Sequence, residues 1–185
     1  MNKLAIVGAG KTTRHAAPFS DASFDIWGIH KHAMAPWMKR CDAVIEVHSE
    51  RRIKTSVAIG VPNDEYLKWL YATDTPIYAV WANGFKSSRA YPLEEIKKGL
   101  LVNISVMGKS INNFNSSIDY ALALGIYRGY KEIEMYGMPM RMGEEYTHQR
   151  PGLAFWAGLA TGRGVKINMM YENDLFDRPL YAGDK

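Results

Sequence analysis

The run EEYTHQR, which ends at Arg150, brings several chemically capable side chains into one short stretch. Glu144 and His148 are candidate catalytic groups, because carboxylates and imidazoles are common general acids and bases. Tyr146 can stack on a base, and Gln149 can contact a base edge or a sugar hydroxyl. Arg150 is a candidate phosphate contact, because its guanidinium offers five donors in a planar fork.

The conformation of this run decides whether its side chains can act together. Pro151 disfavours helical geometry at Arg150, so the run is predicted to be an irregular loop or a short turn. It follows the alternating strand KEIEMYG (131–137), and open α/β sheets bind ligands at the carboxyl ends of their strands. The side chains are therefore expected to form one polar cluster at the mouth of a cleft. Alternatively, Arg150 pairs with Glu144 or Glu145 and only pins the loop.

A glycine turn follows the apolar strand LAIV near the start of the chain, in the sequence LAIVGAGKTT. The glycines would let backbone N–H groups approach a phosphate, and the threonines add hydroxyl donors. Too few residues precede the turn for a Walker loop, and Thr13 stands where the dinucleotide fingerprint has its third glycine. The alternative is a tight connection that contacts no ligand. The candidate ligand contacts here are Gly8, Gly10, Lys11, Thr12 and Thr13.

The second predicted strand, SFDIWGIH, ends in a basic cluster of His30, Lys31 and His32. NAD-binding folds place an acidic residue at this point for the ribose hydroxyls, so ordinary NAD-dependent hydride transfer is disfavoured. A cationic strand end suits a phosphate or a carboxylate, and His30 is the candidate ligand contact. The alternative for Lys31 and His32 is a solvated basic loop.

The third predicted strand, CDAVIEVHS, ends at His48, which is a third candidate catalytic residue. A histidine at the carboxyl end of a strand can be a general base or a metal ligand. The alternative is a histidine that hydrogen-bonds a neighbouring loop. Because no HExxH, CxxC or paired-aspartate spacing occurs, no metal site is expected.

Ser116 and Ser117 can cap a helix whose apolar residues run from Ile118 to Ile126, and this helix is predicted to be buried on most sides. Both serines are candidate ligand contacts. The start of this helix is expected to face the glycine turn across a cleft, so that N–H groups and hydroxyls from both sides converge on one anion.

Apolar strands alternate with helical segments along the whole chain, which predicts an α/β fold. We expect a single Rossmann-like domain over residues 1–185, with a mostly parallel sheet flanked by helices and a C-terminal tail at 172–185. The strand LAIV should lie inside the sheet because both its faces are apolar. The chain has 185 residues, of which 47% are hydrophobic, so a substantial core is possible.

The formal net charge is +4 and the basic residues are scattered. This pattern suits a phosphorylated small molecule or nucleotide as partner better than duplex nucleic acid, which favours a basic stripe. There is no apolar run long enough for a membrane span, no signal peptide and one cysteine, so a cytoplasmic location is expected. No cofactor is certain from the sequence, although a nucleotide ligand is expected. Small residues and aromatics in GLAFWAGLATGRG make a homo-oligomer possible.

Several motifs together resemble small Rossmann-like proteins encoded by phages and prophages. They are VGAGKTT, SSRAYPLEE, SSIDYALALGIYRGYKEIEMYG, EEYTHQRPGLAFWAGLATGRGVKI and a closing NDL. The portion from Ser116 to Gly137, with the glycine turn, is also similar to 6-hydroxymethylpterin diphosphokinase-like proteins and to bacterial sialyltransferases with a Rossmann-like nucleotide site. Where those enzymes tend to carry Asp, this chain has Met138-Pro139-Met140. The resemblance therefore implies a nucleotide-binding fold rather than a particular reaction.

Two functions remain open from the sequence. The first is a transferase or hydrolase that binds a nucleotide or nucleotide derivative and cleaves it or transfers part of it. The second is a non-catalytic binder that sequesters a host signalling nucleotide, as an anti-defence protein in the host cytoplasm. The second function needs no general base and would use the aromatic residues for base stacking.

Overall fold

The computed structural model describes residues 2–56, 60–81, 84–101, 105–110, 112–140, 144–170 and 175–176. For Val106, Ser110 and residues 144–146 only the backbone is described. The strands run as β1 (Lys3–Val7), β2 (Phe24–Ile29), β3 (Ala43–Glu46), β4 (Ile77–Ala79), β5 (Ser88–Ala90), β6 (Ser105–Val106), β7 (Lys109–Ser110), β8 (Glu132–Tyr136) and β9 (Lys166–Met169). The α-helices are α1 (Glu50–Thr55), α2 (Asn63–Ala72), α3 (Leu93–Leu100), α4 (Ser117–Tyr127) and α5 (Glu144–Gly162).

Seven strands form one parallel sheet in the order β5-β4-β3-β2-β1-β8-β9. β1 pairs with β2 on one side and with β8 on the other, and the side chains of Leu4–Val7 have no exposed surface. A strand buried on both faces must be apolar at every position, which explains why LAIV shows no alternation. The predicted α/β class, with a parallel sheet flanked by helices, is confirmed. So is the interior place of β1.

Helix α4 packs across β1, β2 and β3, and this contact explains its sequence. Every residue from Ala121 to Ile126 is buried. A Cβ on Gly125 would lie 2.9 Å from Leu4 Cδ2, so a glycine lets the helix approach the sheet closely. The packing fixes α4 with its first residues at the edge of the sheet where β1, β2 and β3 end.

Helix α5 overturns the loop predicted for EEYTHQR. The helix is continuous from Glu144 to Gly162 with Pro151 inside it. A proline in a helix interior removes one backbone hydrogen bond and costs roughly 3 kcal/mol. Burial offsets that cost, because Leu153, Trp156, Ala157 and Ala160 form a stripe at most 4% exposed. Tertiary packing therefore overrides the local preference of the residue before proline.

Leu100 ends α3, and residues 102–104 lie outside the described ranges. Ser105–Val106 then pair with Lys109–Ser110 in an antiparallel hairpin. None of the helices in the described ranges combines the length and apolarity that crossing a bilayer requires.

Candidate functional site

A cleft of about 500 Å³ opens at the carboxyl edge of the sheet. It is lined by residues that directly follow β1, β2, β3, β4 and β8, by the start of α4, and by Gln149 of α5. The fold thus brings the glycine turn and the start of the capped helix to one cavity, together with the two strand-end histidines. This edge is where parallel α/β sheets bind ligands.

The glycine turn is held against the end of β8 by backbone hydrogen bonds. Gly8 N donates to Tyr136 O and Gly10 N donates to Gly137 O, both at 2.8 Å. A Cβ on Gly10 would lie 2.8 Å from Pro139 Cδ and 2.9 Å from Gly137 O, which leaves no room for a side chain. The N–H groups of Gly8 and Gly10 are therefore committed to the end of β8 and are not available to a phosphate. Within the described ranges, the N–H of Ala9 has no hydrogen-bond partner, and Ala9 lines the cleft.

The polar residues that follow the turn lie away from the cleft lining. Thr13 Oγ1 accepts a hydrogen bond from Gly137 N at 2.9 Å, so its hydroxyl ties the two turns together. Lys11 and Thr12 are exposed and are not among the described residues that line the cleft.

The start of α4 carries a capping box. Ser116 Oγ accepts from Asp119 N at 3.3 Å, and Asp119 Oδ2 accepts from the backbone N–H groups of Asn115 and Ser116 at 2.7 and 2.8 Å. The next two amides, of Ser117 and Ile118, have no hydrogen-bond partner within the described residues, and both residues line the cleft. These two amides, at the positive end of the helix, are the donors available to an anion.

Asp119 itself is a buried carboxylate with one satisfied oxygen. Its Oδ1 is fully enclosed and has no hydrogen-bond partner within the described residues. Burial raises the pKa of Asp119 to about 6, against the lowering effect of the Asn115 and Ser116 N–H groups. A Cβ on Gly152 would lie 2.4 Å from Asp119 Oδ2, so glycine is required where α5 crosses the start of α4.

A second polar group lies where β2 and β3 end. Glu46, at the end of β3, has no exposed surface, and it accepts four hydrogen bonds. Oε2 accepts from His30 Nδ1 at 2.5 Å and from Tyr66 Oη at 2.6 Å. Oε1 accepts from His48 Nδ1 at 3.0 Å and from His48 N at 2.9 Å. The two imidazoles, with ring centroids 4.6 Å apart, both line the cleft.

The charge of Glu46 determines how the two histidines are protonated. Burial alone would raise the pKa of Glu46, but the hydrogen bonds from His30, His48 and Tyr66 hold it at about 2. An ionised carboxylate only accepts, so both Nδ1 atoms carry a proton. In a neutral imidazole this leaves a lone pair on Nε2. We call His30 and His48 the histidine pair, and Glu46 is the carboxylate that holds both rings.

His30 adopts φ = +49°, in the left-handed region that is uncommon for residues other than glycine. Strained backbone of this kind persists only where surrounding contacts hold it, and it concentrates at functional sites. Here the 2.5 Å hydrogen bond to Glu46 and the edge-to-face contact with Tyr66 hold the ring.

Metal-ligating atoms of His30, Glu46 and His48 lie within 4.8 Å of one another. Sequence spacing missed this group because its members come from the ends of two different strands. The four hydrogen bonds to Glu46 use the acceptor positions of its carboxylate, so the atoms left for a cation are the imidazole Nε2 atoms.

The basic cluster after β2 does not present a cationic surface to the cleft. Lys31 is 4% exposed and its ammonium donates to Asn63 Oδ1, away from the cleft lining. His32 lines the cleft, but burial lowers its pKa to about 4, so it is neutral at neutral pH. Lys31 and His32 therefore add no positive charge to the cleft lining at neutral pH, whereas His30 does line the cleft.

A helix, α5, and not a loop carries the residues that were expected to form one polar cluster. Gln149 lines the cleft, His148 is exposed and outside the described lining, and Arg150 Nη1 donates to Met140 O. The side chains of Glu144, Glu145 and Tyr146 lie outside the described residues, so their roles stay predictions.

Two residues of this edge were missed by sequence reasoning. Glu46 is an acid in an otherwise apolar buried strand, and that contrast was a usable signal. Trp81 directly follows the residues that end β4 and lines the cleft while 58% exposed. Its chemistry was visible only as part of the overall aromatic content.

No protein-family model matches the sequence, and no curated protein is significantly similar to it. Three solved structures of the sialyltransferase CstII are similar in fold. The Campylobacter jejuni enzyme with cytidine-5'-monophosphate matches with a TM-score of 0.53 at 16% identity over 92% of this chain and 80% of that one. The complex with CMP-3FNeuAc gives 0.55 at 16% identity over the same shares. The complex with a trisaccharide acceptor and CMP gives 0.51 at 15% identity over 91% and 80%. The chain therefore shares the Rossmann-like fold of a bacterial sialyltransferase at low sequence identity.

Proposed function

We propose that the cleft binds a nucleotide or nucleotide derivative and that the histidine pair takes part in cleaving it or in transferring part of it. The observation that carries this proposal is the convergence of anion donors and proton acceptors on one cavity. The N–H groups of Ala9, Ser117 and Ile118 line it together with His30 and His48. The fold shared with a sialyltransferase solved in complex with CMP supports the same ligand class.

The phosphate is placed at the start of α4. A helix N-terminus favours an anion through its free N–H groups and its dipole. Ser117 also brings a hydroxyl to this point of the lining, whereas the Ser116 hydroxyl accepts within the capping box. Gly8 and Gly10 act indirectly, by holding the Ala9 amide at the edge of β1.

The proton acceptor is His48, with His30 beside it. Glu46 fixes the protonated Nδ1 of each ring and would stabilise the imidazolium that forms when Nε2 takes a proton. A reaction that deprotonates a hydroxyl or a water, as the nucleotide derivative is attacked, needs such a group.

Sequestration of a nucleotide without turnover is the second candidate, and one observation favours it. The described residues that line the cleft include no lysine or arginine, although enzymes that break phosphate esters usually stabilise the developing charge with a cation. An anti-defence protein of a phage, which would capture a host signalling nucleotide, is one form that this second candidate could take.

Incubation with a panel of nucleotides and nucleotide sugars, followed by mass spectrometry of the ligands, tests the two candidates. An enzyme consumes one ligand, and His48→Gln binds that ligand but does not consume it. A sequestering protein returns its ligand intact from the wild type and from His48→Gln. If the wild type neither binds nor consumes any member of the panel, the proposed function is wrong.

A further inference from the structure

Trp81 stands out among the exposed apolar side chains. The large hydrophobic residues that are at least two-fifths exposed in the described ranges are Tyr71, Trp81, Met107, Tyr127, Met170 and Phe176. Of these, only Trp81 lines the cleft. An indole with more than half of its surface in water at the rim of a cavity is a common feature of ligand-binding surfaces, because aromatic rings give large contact areas.

A hydrogen bond to the backbone fixes the orientation of the Trp81 ring. Its Nε1–H donates to Val47 O at 3.0 Å, across the neighbouring ends of β3 and β4. The hydrogen bond satisfies the polar atom of the indole and restrains the ring, and Trp81 is 58% exposed. A ring held in this way loses little conformational entropy when a flat ligand stacks on it.

The place of Trp81 in the sheet separates it from the Ala9 amide. β4 and β1 are three strand spacings apart in the order β4-β3-β2-β1, or roughly 14 Å at 4.8 Å per strand. The Ala9 amide lies at the end of β1, and the histidine pair lies between, at the ends of β2 and β3. A ligand that lies over the histidine pair can therefore point its phosphate toward one end of the cleft and a flat group toward the other.

We propose that Trp81 is the stacking platform for the nucleobase, which orients the ligand with its phosphate toward α4 and its sugar past His48. This inference rests on the proposed nucleotide function and adds the direction of the ligand and the residue that recognises its base. Stacking accepts any base because every base has a π-face, so Trp81 confers selectivity for nucleotides over sugar phosphates rather than for one base.

The test compares ligands with and without a base. Binding of CMP, UMP, AMP, GMP and ribose 5-phosphate is measured by calorimetry with the wild type, Trp81→Ala and Trp81→Phe. Trp81→Ala should weaken the binding of the nucleotides by about tenfold or more and leave ribose 5-phosphate unchanged. Trp81→Phe should retain most of the nucleotide affinity, because a phenyl ring also stacks. Tyr127→Ala, which removes an exposed aromatic outside the cleft lining, should change neither.

The possible outcomes separate this inference from the proposed function. If the wild type binds nucleotides and Trp81→Ala binds them equally well, the stacking role is wrong and the nucleotide site stands. An equal loss of nucleotide and ribose 5-phosphate binding assigns Trp81 to holding the strand ends and also overturns the inference. If no nucleotide binds to the wild type, both are wrong. If Trp81→Ala fails to fold, the quenching of tryptophan fluorescence by nucleotide is compared between Trp81→Phe and the wild type. Smaller quenching in Trp81→Phe supports stacking on Trp81, and equal quenching overturns it.

Discussion

His30 Nδ1 lies 2.5 Å from Glu46 Oε2, although His30 directly follows β2 and Glu46 ends β3. The contact joins a residue with left-handed backbone to a carboxylate that has no exposed surface. His48 and Tyr66 also donate hydrogen bonds to the same carboxylate. Glu46 is therefore the residue on which the arrangement of this edge of the cleft depends.

Replacement of Glu46 by glutamine should destabilise the protein by about 3 kcal/mol, because a buried charge network loses its centre. The pKa of Glu46 is lowered from its ordinary value of 4.5 to about 2. At 1.36 kcal/mol per pKa unit, this shift also corresponds to about 3 kcal/mol of stability. Urea unfolding at pH 7 measures the change. Glu94→Gln, at an exposed carboxylate, is the matched control and should shift the midpoint little.

The sign of the pH dependence follows from the lowered pKa of Glu46. The stabilisation is fully present above pH 4.5 and is lost as the pH falls toward about 2. The wild type should therefore lose stability over this acid range more steeply than Glu46→Gln. Parallel curves for the two proteins would show that the charge of Glu46 contributes nothing to folding.

Asp119 should make the protein less stable as the pH rises, which is opposite to the effect of Glu46, and it should do so in a higher pH range. Its pKa is raised from 3.8 to about 6, so its contribution to stability is greatest below pH 3.8 and is lost as the pH rises through about 6. The difference corresponds to about 3 kcal/mol. Asp119→Asn should remove this fall in stability between pH 4 and pH 6, while the exposed Asp74→Asn should retain it. Thermal melts across that range decide the point.

Gly10→Ala should lower stability by about 1–3 kcal/mol, because the new Cβ would meet Pro139 and the Gly137 carbonyl at less than 3 Å. Gly158→Ala is the control. No atom would lie within 4 Å of its new Cβ and it sits inside α5, so that substitution should stabilise by about 0.5–1 kcal/mol. Equal effects at the two positions would contradict the packing described for the glycine turn.

Arg150→Ala should destabilise the protein by about 1–2 kcal/mol through the lost charge-assisted hydrogen bond to Met140 O. Arg51→Ala, at an exposed arginine in α1, should change stability by less than about 0.5 kcal/mol. If the folded Arg150→Ala protein loses ligand affinity while its melting temperature stays constant, Arg150 contacts the ligand after all.

The fold could be predicted because local patterns of apolar residues indicate its main strands and helices. Four consecutive apolar residues at Leu4–Val7 and the buried run Ala121–Ile126 fit only a covered sheet and a covered helix. The course of α5 was mispredicted because the proline rule is local, whereas the burial of Trp156 and its hydrogen bond to Asn113 O are tertiary. The helical spacing of Leu153, Trp156, Ala157 and Ala160 was the competing signal.

The site could be predicted as a location but not as a set of contacts. Gly8, His30, His48 and Ser116 were selected as strand-end or helix-start residues, and the parallel sheet brings these positions to one cleft. Their individual partners depend on distances between separate strands. No sequence pattern shows that Gly10 N donates a hydrogen bond to Gly137 O, or that His30 and His48 both hydrogen-bond to Glu46.

An NMR titration of the wild type with nucleoside monophosphates shows whether this cleft is a nucleotide site. The amide signals of Ala9, Ser117 and Ile118, the imidazole of His48 and the indole N–H of Trp81 should shift together, with one saturation curve. Signals of residues outside the cleft lining, such as Lys68 of α2, should stay in place. Saturable shifts confined to residues outside the cleft, or no shifts at millimolar nucleotide, would contradict the claim that this cleft is a nucleotide site.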